Sequence, residues 1–232
     1  AAFLKKNGRN VIYDAEHFFT AFEKNREYAM KTLQAAVDGG ASVLTLCETK
    51  GGCVLNECAE ATKDVVKMFG DKAIIGIHTH NDSGLAVANS LIAVDAGARH
   101  VQGCLLGVGE RTGNANLSTI IPNLQLKMGY QCVPQDKLPE LTSIVKKVAE
   151  ISNLHLDSGL PYVGSNAFAH KAGMHIDAVL KNPMAYEHIE PETVGNERVF
   201  LMSEVAGRSM IIEKLKRFDS SIPKDDHVVA EL

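Results

Sequence analysis

The sequence predicts an α/β fold: a parallel sheet of four strand–helix units followed by a small α-rich extension. Three observations carry this. Short apolar or β-branched runs alternate with helical patterns at about 30 residues per unit, as βα repeats require. Glycines punctuate the ends of the helical patterns. The rhythm changes beyond residue 130, where loops rich in His, Gly and Pro take over.

The opening AAFLKKNGRN lacks Met and reads as a helix ending near Gly8. NVIYDA (10–15) is the first strand. EYAMKTLQAAVDGG is a helix stopped by Gly39 and Gly40, and SVLTLC is the second strand. LNECAEATKDVVKMFG is a helix ending at Gly70, and AIIGIH the third strand. GLAVANSLIAVDAGA is a helix rich in small residues, with Asp82 or Ser83 as its N-cap. HVQGCL is the fourth strand and NLSTIIPNLQLKMG the helix after it. KLPELTSIVKKVAEISNL is amphipathic, and the stretch GLPYVGSNAFAHKAGMHIDAVLKNPMAYEHIEPETVGNERVFLMSEVAGRS reads as a small α-rich appendage. The closing HVVAEL starts another amphipathic pattern, so both ends look cut and a piece of a longer protein is expected.

The 232 residues are 45 % apolar, enough for a real core. The formal charge of −4 argues against a nucleic-acid partner, which usually leaves a basic patch. No membrane-length apolar stretch, signal peptide or lipidation motif is visible, so a cytoplasmic protein is expected. The five cysteines are odd in number and form no CxxC, which argues against a disulfide framework or zinc ribbon.

Four units fit either a doubly wound sheet or half of an eight-unit barrel. No GxGxxG follows the first strand, and polar residues gather at strand C-terminal ends: Glu16, Thr49, His78, His80 and the loop after Leu106. That is the barrel-enzyme pattern. In a strand, residues i and i+2 face one way, so His78 and His80 can offer two imidazoles to a divalent metal such as zinc or manganese. Two ordinary hydrogen-bonded histidines are the alternative, and a catalytic metal usually takes three protein ligands. Glu16 can act as general acid or base, or lie solvated at a helix start. Thr49, beside Gly51 and Gly52, can hold a carboxylate or belong to a plain turn. The glycine-rich GVGERTGNANL (107–117) can bring backbone close to a ligand, and its Glu110 and Arg111 read most simply as an internal ion pair. His175 and Tyr186 matter only if the appendage covers a site.

Five strings occur in one order and spacing: VIYDAEHFF, HTHNDSGLAVANS, GVGERTGNANL, GSNAFAHKAGMHIDAVLKNP and YEHIEP. Together they resemble the α-isopropylmalate, homocitrate and citramalate synthase family, and YDAEHFF looks most like the citramalate synthases. The resemblance covers nearly the whole chain. It implies a metal-dependent TIM barrel followed by a linker subdomain, here the C-terminal half of a (β/α)8 barrel (strands five to eight) at residues 1–132, with a helical extension and linker at 133–232. It implies a Claisen-type condensation of acetyl-CoA with a 2-oxo acid, pyruvate favoured, with CoA release, in branched-chain amino-acid biosynthesis. By resemblance His78 and His80 are metal ligands for Zn, Mn or Mg. Glu16 works with the linker histidine His175, Tyr186 matches the linker tyrosine, and Thr49 holds the substrate carboxylate. The linker arm of such enzymes packs over a partner subunit's barrel, which implies a homodimer.

Departures accompany the resemblance. The family's first strand, with its Arg-Asp pair, has no counterpart here, and the isolated chain is therefore expected to be inactive. Glu48 and Lys50 stand in a D-T-N-G-G motif. Cys104 and Leu106 stand in G-T-x-N-G, where the family's Asn sits at the metal, and Ala172 replaces a glycine. An isopropylmalate or homocitrate synthase, a related metal-dependent lyase or aldolase, and a non-catalytic interaction protein that lost the metal are the alternatives.

Overall fold

The computed structural model describes residues 1–201; the closing HVVAEL pattern and the MSEVAGRS end of the appendage string lie outside the described residues. The chain divides into two compact units, Ala1–Cys132 and Val133–Leu232.

In the first unit, four parallel strands form one sheet in sequence order: β1 (Ile12–Ala15), β2 (Val43–Glu48), β3 (Ile74–Thr79) and β4 (His100–Gln102). Val43 pairs with both Ile12 and Ile74, and Gly76 pairs with His100. Parallel neighbours need long crossovers, and helices supply them: α2 (Phe18–Lys24) and α3 (Arg26–Asp38), α4 (Leu55–Phe69), then α5 (Ala86–Asp95). A short helix α1 (Ala2–Lys6) precedes the sheet, and α6 (Leu117–Pro122) follows it. Pro122 has no N–H to give to the ladder, and the helix continues as a wider π turn over Asn123–Lys127.

Strand β2 is buried along its whole length, so it reads as a near-continuous apolar run instead of an alternation. Its Leu44 and Leu46 join the core with Phe18, Leu33, Val65, Phe69 and Ile77. Each such side chain contributes about 1.5–3 kcal/mol by burial. Helix α4 presents Cys58, Ala61, Thr62, Val65 and Phe69 to that core, a single face at helical spacing. The Asn25 side chain caps α3 by accepting from Tyr28 N–H at 3.0 Å.

Two expectations change. The N-cap of α5 is neither Asp82 nor Ser83. Leu85 occupies that position and Asn81 Oδ1 accepts from Ala86 N–H, because Asp82 and Ser83 are turned to Arg111 and to the Gly51 carbonyl. Helix α2 is not visible in the sequence pattern. It is only 7 residues long, and its N-cap His17 takes a left-handed conformation without a side-chain cap. All five cysteines are free; burial pushes Cys47 and Cys58 up to about 12, which leaves those thiols inert.

In the second unit, α7 (Leu141–Ile151) buries Leu141, Thr142, Val145 and Ala149. Thr142 Oγ1 donates to the Val194 carbonyl at 2.7 Å. Strands β5 (Ala169–His170) and β6 (Val199–Phe200) form a two-residue parallel pair. Helix α8 (Gly173–Lys181) packs Ile176 and Val179 against Phe200. No described helix is long and apolar enough to cross a membrane.

Candidate active site

The C-terminal ends of β2, β3 and β4 bring the histidine pair, Thr49 and the glycine-rich loop onto one rim. His78 pairs in register with Cys47 and with Gln102. Its Nδ1 lies 2.8 Å from Gln102 Oε1, and its Nε2 lies 3.4 Å from His80 Nε2. Gln102 Nε2 donates to Asp14 Oδ1 at 2.9 Å and approaches Thr45 Oγ1 at 3.3 Å. An ionised carboxylate only accepts, so the amide nitrogen of Gln102 must face Asp14 and its oxygen must face His78. His78 therefore carries its proton on Nδ1 and keeps a lone pair on Nε2, aimed at His80. Burial, with His78 and the Arg111 guanidinium beside it, holds His80 below the ordinary histidine range, which favours the neutral ring.

This geometry fits two corners of a divalent metal site. Two metal–nitrogen bonds of about 2.0–2.1 Å at a tetrahedral angle place the nitrogens about 3.4 Å apart. A metal-ligating histidine usually gives its other N–H to an acceptor, as His78 does to Gln102. Among the described residues, no group of three or more His, Cys, Asp or Glu side chains could hold a metal. Leu106, where the resembled family carries Asn, has a left-handed backbone (φ 65°) and no ligating atom.

Thr49 is engaged by its neighbours. Its Oγ1 accepts from His17 N–H at 2.8 Å, and its carbonyl accepts from Arg111 Nη2 at 2.7 Å. A hydroxyl that accepts an N–H keeps its own proton for a further acceptor. Arg111 does not pair mainly with Glu110, which is 3.7 Å away. Its guanidinium forks onto Asp82 at 2.7 and 3.0 Å, joining the loops after β2, β3 and β4. Close approaches make this possible: a Cβ on Gly51 would overlap Asp82, and one on Gly113 would overlap the Gly107 carbonyl oxygen. The loop then lies back along β3, with Ala115 N–H donating to the Thr79 carbonyl at 3.0 Å.

Glu16 is exposed in the turn after β1. Glu48 points into the helix layer, where Gly51, Gly52 and Cys53 N–H groups meet its carboxylate and its Oε2 has no partner. Burial wins and pushes its carboxyl above the ordinary range. In the second unit His175 stacks on Tyr186, with ring centroids 4.3 Å apart. Sequence reading missed Gln102, Asp14 and the Arg111–Asp82 fork. The available signal for Gln102 was its i, i+2 spacing from His100 in HVQ, which puts two polar side chains on one face of β4.

The HMGL-like family model matches residues 2–148, and the homocitrate synthase post-HMGL domain-like model matches 162–230. The (R)-citramalate synthase of Aquifex aeolicus is 54 % identical over 220 residues, covering 95 % of this chain and 42 % of that protein. The 2-isopropylmalate synthase of Sulfolobus acidocaldarius is 36 % identical over 232 residues, covering 99 % of this chain and 58 % of that protein. These are synthases of the kind the five sequence strings resemble. The chain spans less than half the length of the citramalate synthases it matches. A solved structure of Rhizobium etli pyruvate carboxylase T882A with the allosteric activator acetyl coenzyme-A aligns with TM-score 0.52 and 18 % identity, over 65 % of this chain and 13 % of that one. That likeness speaks to the fold alone. The HMGL-like match is to the domain as a unit, so it gives an HMGL-like α/β domain without assigning the four strands to the second half of a barrel.

Proposed function

The chain belongs to the HMGL-like family, and from that premise we propose that it carries part of the active site of a citramalate-type synthase. Such an enzyme condenses acetyl-CoA with a 2-oxo acid, pyruvate favoured, and releases CoA. The observation that carries the reading is the converging His78 and His80 Nε2 pair, held by the Asp14–Gln102 relay at the strand ends. Identity of 54 % to a citramalate synthase against 36 % to a 2-isopropylmalate synthase supports the smaller 2-oxo acid.

In this reading β1 to β4 are the fifth to eighth strands of a barrel and residues 133–232 form the linker subdomain. The parallel order β1–β2–β3–β4 supports it, as does the post-HMGL match that follows. His78 and His80 hold a divalent metal, zinc or manganese before magnesium on account of the nitrogen donors. When bound, that metal supplies Lewis-acid polarisation of the 2-oxo carbonyl. Thr49 donates its free hydroxyl proton to the substrate carboxylate, and Arg111 fixes the Thr49 carbonyl behind it. Glu16 and His175 are assigned to proton transfer: removal of a methyl proton from the acetyl thioester, and activation of the water that releases CoA. Tyr186 orients the His175 ring by stacking. A homodimer, a cytoplasmic setting and a place in isoleucine or leucine biosynthesis belong to the same proposal.

The test is CoA release from acetyl-CoA and a panel of 2-oxo acids by the natural protein that carries this sequence, with zinc or manganese supplied. Turnover greatest with pyruvate, abolished in a His78→Ala/His80→Ala variant, supports the reading. Cleavage of a 3-hydroxy-acyl-CoA without condensation would replace it with the lyase reading.

A further inference from the structure

The second unit buries an ionic cluster in the segments that carry His175 and Tyr186. Glu187 is 3 % exposed and His170 9 %. Glu187 Oε1 accepts from His170 Nε2 at 3.0 Å and from Arg198 Nε at 2.7 Å, and its Oε2 accepts from Arg198 Nη2 at 2.5 Å. Burying such a cluster carries a large desolvation cost, and apolar replacements of similar volume are often at least as stable. Stability alone is thus a weak reason to have it.

Its placement offers another reason. His170 ends β5, three residues before α8, the helix that carries His175. Glu187 directly follows Tyr186. Arg198 directly precedes β6, which pairs with β5 through His170 and Phe200. The cluster therefore ties three segments together: the entry to α8, the turn that presents Tyr186, and the strand under both. Helix α8 has no side-chain N-cap of its own to fix its start. Tyr186 is half-exposed, with 51 % of its surface open, so packing around its ring does little to hold it. The ring stack at 4.3 Å and 28° then depends on where the backbone puts the two residues.

We infer that Glu187, bridging His170 and Arg198, is a positioning residue that sets the His175–Tyr186 stack. The inference rests on the reading that this pair serves the acyl-CoA step, but its test does not use activity. The histidine Hε1/Cε1 resonances of the chain are recorded by NMR, with His175 assigned from its loss in a His175→Gln variant. A Tyr186→Leu variant gives the position of the His175 signal without the ring above it. Glu187→Gln, which keeps the shape and loses the charge, is expected to move the His175 signal most of the way to that position. The signals of His78, His80 and His100 in the other unit should stay in place.

A folded Glu187→Gln protein with an unmoved His175 signal overturns the inference. If that variant does not fold, Glu187→Leu/Arg198→Met removes the cluster without leaving an unpaired buried charge. A folded double variant with the His175 signal displaced supports the inference, and one with the stack intact overturns it. Loss of folding in both variants overturns it too, because the cluster would then be a folding element. Failure of the functional reading looks different: the signal moves as expected, yet Tyr186→Leu leaves CoA release by the natural enzyme unchanged.

Discussion

Gln102→Leu removes the acceptor that fixes the His78 ring, together with the amide donor shared by Asp14 and Thr45. Leu nearly matches Gln in volume, and Asp14, the carboxylate left behind, is exposed and recovers water. The lost bond is the 2.8 Å contact to His78 Nδ1, in a part-buried setting. Stranding such an N–H costs about 1–3 kcal/mol. Losing the outer partner of a metal-bound histidine typically weakens binding 10–100-fold. At about 1.4 kcal/mol per factor of ten the two ranges agree. Gln102→Leu is therefore expected to weaken zinc binding by a factor of about 10–100, measured by competition with a chromophoric chelator. Gln102→Glu keeps an acceptor for His78 and should lose less. Long-range ¹H–¹⁵N spectra report the tautomer directly, with the proton on Nδ1 of His78 in the unsubstituted chain. Unchanged zinc affinity together with an unchanged tautomer in Gln102→Leu would refute the relay.

Glu48→Gln should stabilise the first unit near neutral pH. Burial raises the Glu48 carboxyl above its ordinary range, so its contribution to stability is present at low pH and lost as pH rises through the folded value; urea midpoints for both proteins should converge on acidification and separate above it. Glu187 has the opposite sign. Burial acts to raise its carboxyl, but Arg198 and His170 outweigh it and hold the group below the ordinary range. Its contribution to the second unit is thus full above about pH 4.3 and lost as pH falls through the folded value, and Glu187→Gln should flatten that acid limb. Gly113→Ala combines a left-handed backbone (φ 99°) with a Cβ overlapping the Gly107 carbonyl, whereas Gly129→Ala (φ 75°) meets nothing within 4 Å. Gly113→Ala should lower the urea midpoint clearly more than Gly129→Ala, and equal midpoints would contradict the close loop packing.

The sheet was legible because its strands are short apolar runs with β-branched residues, each following a helical pattern that glycine closes, as SVLTLC follows Gly39–Gly40 and AIIGIH follows Gly70. The i, i+2 spacing also puts His78 and His80 on one face. Local pattern failed where a partner lies far along the chain. Arg111 reads naturally with Glu110 beside it, yet its fork reaches Asp82, 29 residues away. Thr49 reads as a free turn hydroxyl, yet the left-handed His17 puts its N–H on that oxygen. Gln102 reads as one more residue inside the HVQGCL run, and only the register against β3 shows that it meets His78. Helix α2 escaped because a helix of 7 residues gives too few turns for a periodic signal.

The most direct measurement is isothermal calorimetry of zinc and manganese binding to this chain and to a His78→Ala/His80→Ala variant. The predicted result is one metal bound at micromolar affinity or better, with the heat lost in the variant. Equal heats from the two proteins would contradict the claim that the two imidazoles form a metal site.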